Sequence, residues 1–284
     1  MEIISKRSFA GERPLFATNN VRLEGVQFLP GESALKHCHD VEAIGCEFMG
    51  KYPFWHDENV VIEHGLFTAS SRAAIWYTQN IRMANCVVEA PKMFREVRHL
   101  YLEKTRLLDA AECCWNCRDV EFRNVEIDNG DYLFMNATDI RIDGFKLQGN
   151  YSFQGTKNVV IRNARLDSKD AFWNSENVTV YDSVLDGEYL GWHSTNLRLV
   201  NCTIRGTQPL CYAQNLLIEN CVMVDTDLCF EYSTLKAEIN SDILSVKNPS
   251  GGFIRAKSIG ELILDENCAA PGACEIRVGE ALPA

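Results

Sequence analysis

The chain has 284 residues, 46% of them apolar, and a formal net charge of −11 at pH 7. This acidity argues against a nucleic-acid partner, because binding to phosphates needs clustered Lys and Arg. No apolar run approaches the roughly 18 residues of a membrane span, so we expect no membrane partner either.

The first segment, residues 1–18, is predicted to form the entry to the fold or an N-terminal cap. Residues 1–7 contain no apolar signal-peptide core, so we expect a cytoplasmic protein. The sequence up to residue 18 shows no complete copy of the repeat that dominates the rest of the chain.

Residues 19–238 contain an internal repeat of 19 to 21 residues. Ten of the twelve copies start with Asn or Asp, and each continues with an apolar, a variable and a second apolar residue, as in Asn196-Leu197-Arg198-Leu199. The starting positions, called anchors here, are Asn20, Asp40, Asn59, Asn80, His99, Asp119, Asp139, Asn158, Asn177, Asn196, Asn215 and Thr234. A fixed period of this size indicates stacked supersecondary units.

Each repeat is predicted to contain three short strands separated by turns. Apolar residues at positions +1 and +3 from the anchor, such as Val178 and Val180, alternate with polar ones, which is typical of a strand with one inward face. A second strand follows at +6 and +8. Asn or Gly at +5, as in Gly25 and Asn201, favours a sharp left-handed turn. A third strand, with its inward residue at −5, precedes each anchor.

We therefore predict an all-β single-stranded right-handed parallel β-helix of about 12 coils with three parallel sheets and end caps. Residues 1–284 would form one domain, with an irregular last coil and a C-terminal cap in 239–284. Handedness is inferred by elimination, because the sequence lacks the six-residue rhythm of left-handed β-helices.

Several runs resemble a known family. They are Lys169-Asp170-Ala171-Phe172-Trp173, Gly187-Glu188-Tyr189-Leu190-Gly191-Trp192 and Gly206-Thr207-Gln208-Pro209-Leu210-Cys211-Tyr212. The chain resembles an uncharacterised, mostly bacterial family within the pectin-lyase-like superfamily of right-handed β-helices. The resemblance covers nearly the whole chain and implies the fold but no activity. The Asp-Asp and Gly-His-Gly motifs of polygalacturonases are absent, so whether the chain is an enzyme stays open.

All five tryptophans fall at position −4, which should face outward because it neighbours the inward −5 row. They are Trp55, Trp76, Trp115, Trp173 and Trp192, and Phe16, Met135 and Phe230 share the row. Apolar residues at −6 would widen the same outer stripe. Three interpretations stay open: a platform on which a glycan stacks, a homo-oligomer interface, or a surface covered by a terminal segment of the same chain.

Polar residues flank the tryptophans on both sides. Asp170 and Glu188 precede the row, and position −3 carries His37, His56, His193, Tyr212 and Glu231. We interpret Asp170, Glu188, Glu231 and His193 as candidate acid and base groups for a bound sugar. The five tryptophans with Tyr212, His37 and His56 are the candidate substrate-binding residues. Solvated turn residues are the competing interpretation for each acid.

We expect no cofactor and no metal, because stacked His37 and His56 would supply only two of the three or four ligands that a zinc site needs. Eight of the twelve cysteines fall on inward rows, where free Cys acts as a small apolar residue. Alternation would point Cys113 and Cys114 in opposite directions. Only Cys268 and Cys274, in the predicted cap, are plausible disulfide partners.

Overall fold

A computed structural model describes residues 1–279 of the chain. The chain divides into two compact units, Met1–Gln148 and Gly149–Ala284, and each is described by itself. Residues 1–279 form strands and turns without helices. Accordingly, that range contains no helix that could cross a membrane. The single domain over 1–284 stays a prediction.

The first unit contains seventeen strands. They are β1 (Glu2–Ser5), β2 (Ser8–Glu12), β3 (Asn19–Glu24), β4 (Gln27–Glu32), β5 (His39–Ile44), β6 (Glu47–Phe48), β7 (Phe54–Trp55), β8 (Glu58–Glu63), β9 (Leu66–Phe67), β10 (Ile75–Trp76), β11 (Gln79–Ala84), β12 (Val87–Val88), β13 (Phe94–Arg95), β14 (Arg98–Glu103), β15 (Arg106–Leu107), β16 (Arg118–Ile127) and β17 (Thr138–Gln148). Strands β1, β3, β5, β8, β11, β14, β16 and β17 pair in parallel, one per coil. Val21, Val41 and Val60 lie in register on this stack.

The second unit contains eleven strands. They are β18 (Lys157–Asp167), β19 (Glu176–Tyr181), β20 (Val184–Asp186), β21 (Thr195–Val200), β22 (Thr203–Arg205), β23 (Leu216–Val224), β24 (Thr234–Ile239), β25 (Asp242–Lys247), β26 (Gly251–Ala256), β27 (Ser258–Ile263) and β28 (Cys274–Val278). Strands β18, β19, β21, β23, β24, β26 and β28 pair in parallel, one per coil. Strands β25 and β27 form a separate parallel pair.

The predicted all-β parallel solenoid is confirmed, with a larger number of turns than the predicted 12. The one-per-coil stacks contain eight strands in the first unit and seven in the second, about 15 turns in all. The difference arises because the predicted end segments also form coils. Strand β1 pairs with β3, and β26 and β28 extend the stack beyond β24.

The inward rows form the core of both units, as predicted from their alternation. Val21 and Leu23 in the first unit and Leu197 and Leu199 in the second are fully buried. Phenylalanine rings from successive coils stack inside the first unit, with ring centroids of Phe28 and Phe48 5.3 Å apart and those of Phe48 and Phe67 4.5 Å apart. The stacking of coils therefore brings residues at the same position of successive repeats into contact.

The turns at the anchor and at +5 adopt the predicted left-handed conformation. Anchors Asn59 and Asn196 have φ of 57° and 56°, and Gly25 and Asn201 have φ of 59° and 55°. Asn and Gly tolerate this conformation better than other residues, which explains their recurrence.

The prediction of a third strand before each anchor was wrong for most coils. Within residues 1–279 it forms only as β7, β10 and β13, which pair with one another. In the second unit the −5 residue lies instead in a left-handed turn, as in Phe172 with φ of 62°. The turn directs both Ala171 and Phe172 inward, with exposures of 1% and 0%. The predicted outward orientation of the −6 row was therefore wrong too.

Candidate aromatic site

The twelve candidate site residues fall into two sets, one in each unit. His37, Trp55, His56, Trp76 and Trp115 belong to the first unit. The second unit holds Asp170, Trp173, Glu188, Trp192, His193, Tyr212 and Glu231. The predicted outward orientation of the tryptophans is confirmed, because all five are partly exposed. Residues 239–279 do not bury Trp173 or Trp192, so cover by that segment was wrong for the second unit.

Four of the five indoles have a scaffold role. A corner residue three positions before the −4 position adopts a left-handed turn, as in Tyr189 before Trp192 and Gln208 before Cys211, with φ of 59° and 49°. The indole Nε1 donates a hydrogen bond to the corner carbonyl of the next coil. The bonds are Trp55 to Ala73 O at 2.8 Å, Trp76 to Lys92 O at 2.9 Å, Trp115 to Tyr132 O at 2.7 Å and Trp192 to Gln208 O at 2.7 Å. These bonds satisfy carbonyls that the turn leaves outside the sheet.

The tryptophans of the first unit form a closed stack with basic side chains. The ring centroids of Trp55 and Trp76 lie 5.2 Å apart at an interplanar angle of 10°. The guanidinium of Arg95 lies 4.4 Å from the Trp76 centroid and 4.5 Å from that of Trp115. Lys36 Nζ lies 5.6 Å from the Trp55 centroid. These contacts occupy both faces of Trp55 and Trp76, so these two rings present their edges to solvent.

A second row of rings lies beside this stack. His37 and His56 stack at 5.1 Å, and His56 and Tyr77 at 5.0 Å. Burial, with the nearby His37 and Lys36, lowers the pKa of His56. The two histidines are thus brought together as predicted. Residues 1–279 contain no group of three or more His, Cys, Asp or Glu that could hold a metal.

The second unit brings its aromatic residues together in a more open arrangement. Trp173 and Trp192 stack at 5.6 Å, His193 and Tyr212 at 5.0 Å, and Tyr212 and Tyr232 lie 5.5 Å apart. The Tyr212 ring is tilted by 58° from Trp192 and by 45° from Tyr232. We call Trp173, Trp192, His193, Tyr212 and Tyr232 the aromatic surface. Its outer row consists of His193, Tyr212 and Tyr232, which lie in successive coils.

The assignment of Glu231 to position −3 was wrong, because the repeat loses one residue before Thr234. Tyr232, not Glu231, stacks on Tyr212. The shift also places Phe230 at the fully buried inward position rather than among the outward tryptophans. Glu231 is 7% exposed, and its carboxylate accepts from Lys247 Nζ at 2.8 Å. Thr234 at an anchor was the signal for this shift, because Thr does not adopt the left-handed turn of the Asn anchors.

The other two candidate acids lie at the corner that precedes the tryptophans. Asp170 is buried, and burial raises the pKa of its carboxyl, with Lys169 lowering it and Glu188 raising it. Glu188 is exposed and pairs with Lys169 Nζ at 3.4 Å. Lys169 Nζ also lies 5.1 Å from the centroid of Tyr189, which packs edge-on against Trp192. These side chains therefore adjoin the aromatic surface along its corner.

All twelve cysteines are free thiols in the structure. The eight predicted inward cysteines are buried, so their core role is confirmed. Cys113 is buried together with Cys114, which corrects the expectation that they point in opposite directions. Cys114 lies in a left-handed turn with φ of 60°, so strand alternation does not apply there. The plausible bridge between Cys268 and Cys274 is not formed.

Comparisons with known proteins identify a family. The model of the family described as "Protein of unknown function (DUF3737)" matches residues 2–277. No curated protein matches the chain.

Several solved structures are similar to the chain, each at low sequence identity. A mutant tailspike protein of E. coli bacteriophage HK620, in complex with hexasaccharide, is 11% identical, with 96% of this chain and 68% of that one covered and a TM-score of 0.46. PfbA, a surface adhesin of Streptococcus pneumoniae, is 9% identical, with 98% and 80% covered and a TM-score of 0.34. QnrB1, a plasmid-mediated fluoroquinolone resistance protein, is 10% identical, with 69% and 93% covered and a TM-score of 0.33. Likenesses this distant carry no conclusion about ligand or activity.

Proposed function

Because the chain belongs to the DUF3737 family, whose function is unknown, its function must be argued from its own site, and we propose that it is a carbohydrate-binding protein. The glycan lies across the aromatic surface of the second unit. Binding takes place without cleavage of the glycan.

One observation carries the proposal: the outer row of the aromatic surface combines partly exposed rings with free polar groups. His193, Tyr212 and Tyr232 follow one another in successive coils. Among residues 1–279, no hydrogen bond engages the imidazole of His193 or the hydroxyl groups of the two tyrosines. Sugars offer both hydroxyl groups and apolar ring faces, so they match rings that carry free polar groups.

The tilt of the tyrosines supports the same site. Close stacking on both sides would leave no ring face open, as for Trp76 in the first unit, whose two faces are covered by Trp55 and by the Arg95 guanidinium. Tyr212 stacks one face on His193 at an interplanar angle of 21°, but it is inclined by 45° to Tyr232, so part of its other face is turned away from Tyr232. The aromatic surface, rather than the first-unit stack, therefore has a ring face for a pyranose.

The carboxylates near the aromatic surface favour binding over hydrolysis. Glycoside hydrolysis generally uses two carboxyl groups on opposite sides of one bond. Glu231 is buried in its ion pair with Lys247, and Glu188 pairs with Lys169. Asp170 has the raised pKa of a general acid but lacks an unpaired second carboxylate beside it.

A glycan array probed with the purified protein tests the proposal. We expect saturable binding to at least one glycan, and a Tyr212→Ala variant should weaken that binding at least tenfold. Tyr77→Ala is the matched control, because Tyr77 also stacks on a histidine, His56, but in the first unit. The control should bind like the wild type. Binding to no glycan, or equal loss in both variants, would contradict the proposal.

The same samples test the two functions that compete with simple binding. Release of reducing sugar from a bound glycan would show that the protein is an enzyme. Asp170 would then be the first candidate acid to test by mutation. Homo-oligomer formation through the tryptophans predicts a dimer in light scattering that becomes a monomer on Trp173→Ala substitution. A monomer leaves the aromatic surface open to a glycan, as the proposal requires.

A further inference from the structure

The exposed Asn ladder of the second unit ends at Asn215. Each amide Nδ2 donates to the Oδ1 of the preceding coil: Asn177 to Asn158 at 3.3 Å, Asn196 to Asn177 at 2.8 Å, and Asn215 to Asn196 at 3.2 Å. The next two coils carry Thr234 and Gly251 in register. Thr234 Oγ1 accepts from the Asn215 backbone N and donates to Gln214. Within residues 1–279, Asn215 Oδ1 has no donor.

A cleft of about 450 Å³ lies where the ladder stops. Its walls are Asn215, Leu216, Leu217, Thr234, Leu235, Lys236, Gly251 and Gly252. Gly252 has a φ of 97°, and a Cβ there would collide with the carbonyl oxygen of Leu235, so this wall must lack a side chain. The volume falls within the range of about 300–1,000 Å³ that is typical of small-molecule sites.

The cleft also contains a cation that the described part of the chain leaves unpaired. Lys236 is exposed and forms no ion pair within residues 1–279, whereas Arg198 in the same outward row pairs with Glu219 at 2.5 Å. In a chain with a net charge of −11, an unpaired lysine beside apolar walls favours an anion over a cation as ligand.

We propose that this cleft binds a small organic acid that also carries an N–H or O–H donor. The carboxylate pairs with Lys236, the donor bonds to Asn215 Oδ1 as the next Asn of the ladder would, and the carbon skeleton lies against Leu217, which is in register with Lys236. The cleft shares no residue with the aromatic surface, so the test of this site is independent of the test of glycan binding.

A ligand-detected NMR titration with N-acetyl-L-alanine and lactate tests the site, with N-acetyl-L-alanine amide as the neutral probe. We expect saturable binding of at least one acid and at least tenfold weaker binding of the neutral amide. Lys236→Met should weaken binding of the acid at least tenfold. Lys257→Met, which removes an exposed lysine outside the cleft, should leave it unchanged.

A second variant fills the cleft without changing its charge. Gly251 has no left-handed φ, and a Cβ there would meet only Ala273 O at 3.9 Å, so Gly251→Leu should fold normally and abolish binding. Circular dichroism confirms the fold of each variant. The absence of saturable binding by either acid would overturn the proposal. So would binding that survives both Lys236→Met and Gly251→Leu, or that is equal for the neutral amide.

Discussion

At the scale of single residues, the tryptophans illustrate how one side chain serves both fold and surface. Their position at −4 was readable from the sequence, and so was their partial exposure. Their hydrogen bonds were not, because the left-handed corner that offers the carbonyl is formed by residues as different as Ala73, Lys92 and Gln208. The bond depends on a backbone conformation that these residue types do not encode.

A comparison of two tryptophans isolates the value of this bond. Trp192→Phe keeps a stacking ring but leaves the Gln208 carbonyl with only the weak thiol donor of Cys211, at 3.4 Å, so we expect a loss of about 1 kcal/mol in the free energy of unfolding. Trp173 stacks on Trp192, yet within residues 1–279 its indole N–H has no acceptor. Trp173→Phe should therefore cost clearly less in the same urea titration. Equal costs would show that ring size, not the hydrogen bond, is what matters.

The buried Asp57 predicts a distinct pH dependence of stability. It is 2% exposed, its Oδ1 accepts from Cys38 N at 2.7 Å, and burial raises its pKa from 3.8 to about 8. Between these two values the folded protein holds a proton that the unfolded chain releases. Stability from this group is therefore complete below pH 4 and falls as the pH rises toward 8, by about 1.4 kcal/mol per pH unit.

Asp57→Thr should remove this slope. A hydroxyl at this position can accept from Cys38 N, as Thr78 Oγ1 accepts from Asp57 N in the next coil. Urea titrations of wild type and variant between pH 5 and pH 7.5 should give stabilities that diverge with rising pH in favour of the variant. Parallel curves would show that Asp57 is ionised in the folded protein.

At the scale of the repeated elements, the sequence predicted the parts that depend on alternation and on Asn or Gly turns. The strands at +1 to +3 and +6 to +8 and their inward rows follow directly from residues such as Val178 and Val180. The third strand failed, because a turn through Phe172 or Leu210 has no compositional signature. Glu231 was assigned to the wrong position for a related reason. Counting back from Thr234 with a constant spacing does not reveal that one residue is missing between the inward position and the anchor of this coil.

The Asn ladder offers a test at this scale. Asn177 adopts a φ of 56°, donates to Asn158 and accepts from Asn196. Asn177→Ala removes both amide bonds and places a Cβ residue without a local polar group in the left-handed region, so we expect a cost of about 2 kcal/mol. Asn177→Gly removes the same bonds but tolerates the conformation, and should cost roughly half as much. A variant pair with unchanged urea midpoints would show that this exposed ladder contributes nothing to stability.

At the scale of the whole molecule, the chain holds twelve cysteines without using disulfides to stabilise its coils. Eleven of the side chains are buried, and several hydrogen-bond to carbonyls of neighbouring coils, as Cys221 Sγ does to Leu199 O at 3.4 Å. A count of twelve cysteines, taken alone, is typical of a disulfide framework. The period of the repeat corrected that interpretation, because residues on one inward row stack as small apolar groups.

Thiol titration measures this arrangement across the molecule. Eleven of the twelve cysteines are buried, and only Cys268 is partly exposed. Burial also raises the pKa of most of the buried thiols, to about 11 for Cys86 and about 12 for Cys113, while the hydrogen bond with Cys221 lowers the pKa of Cys202, which burial keeps from the reagent. We therefore expect one thiol to react rapidly with an aromatic disulfide reagent in the native protein at pH 7.5. In denaturant without reductant, at least ten should react, and twelve if Cys268 and Cys274 are unbridged as in the structure. Recovery of eight or fewer would mean that native disulfides hold the coils together, and the inward cysteine rows would then need a different explanation.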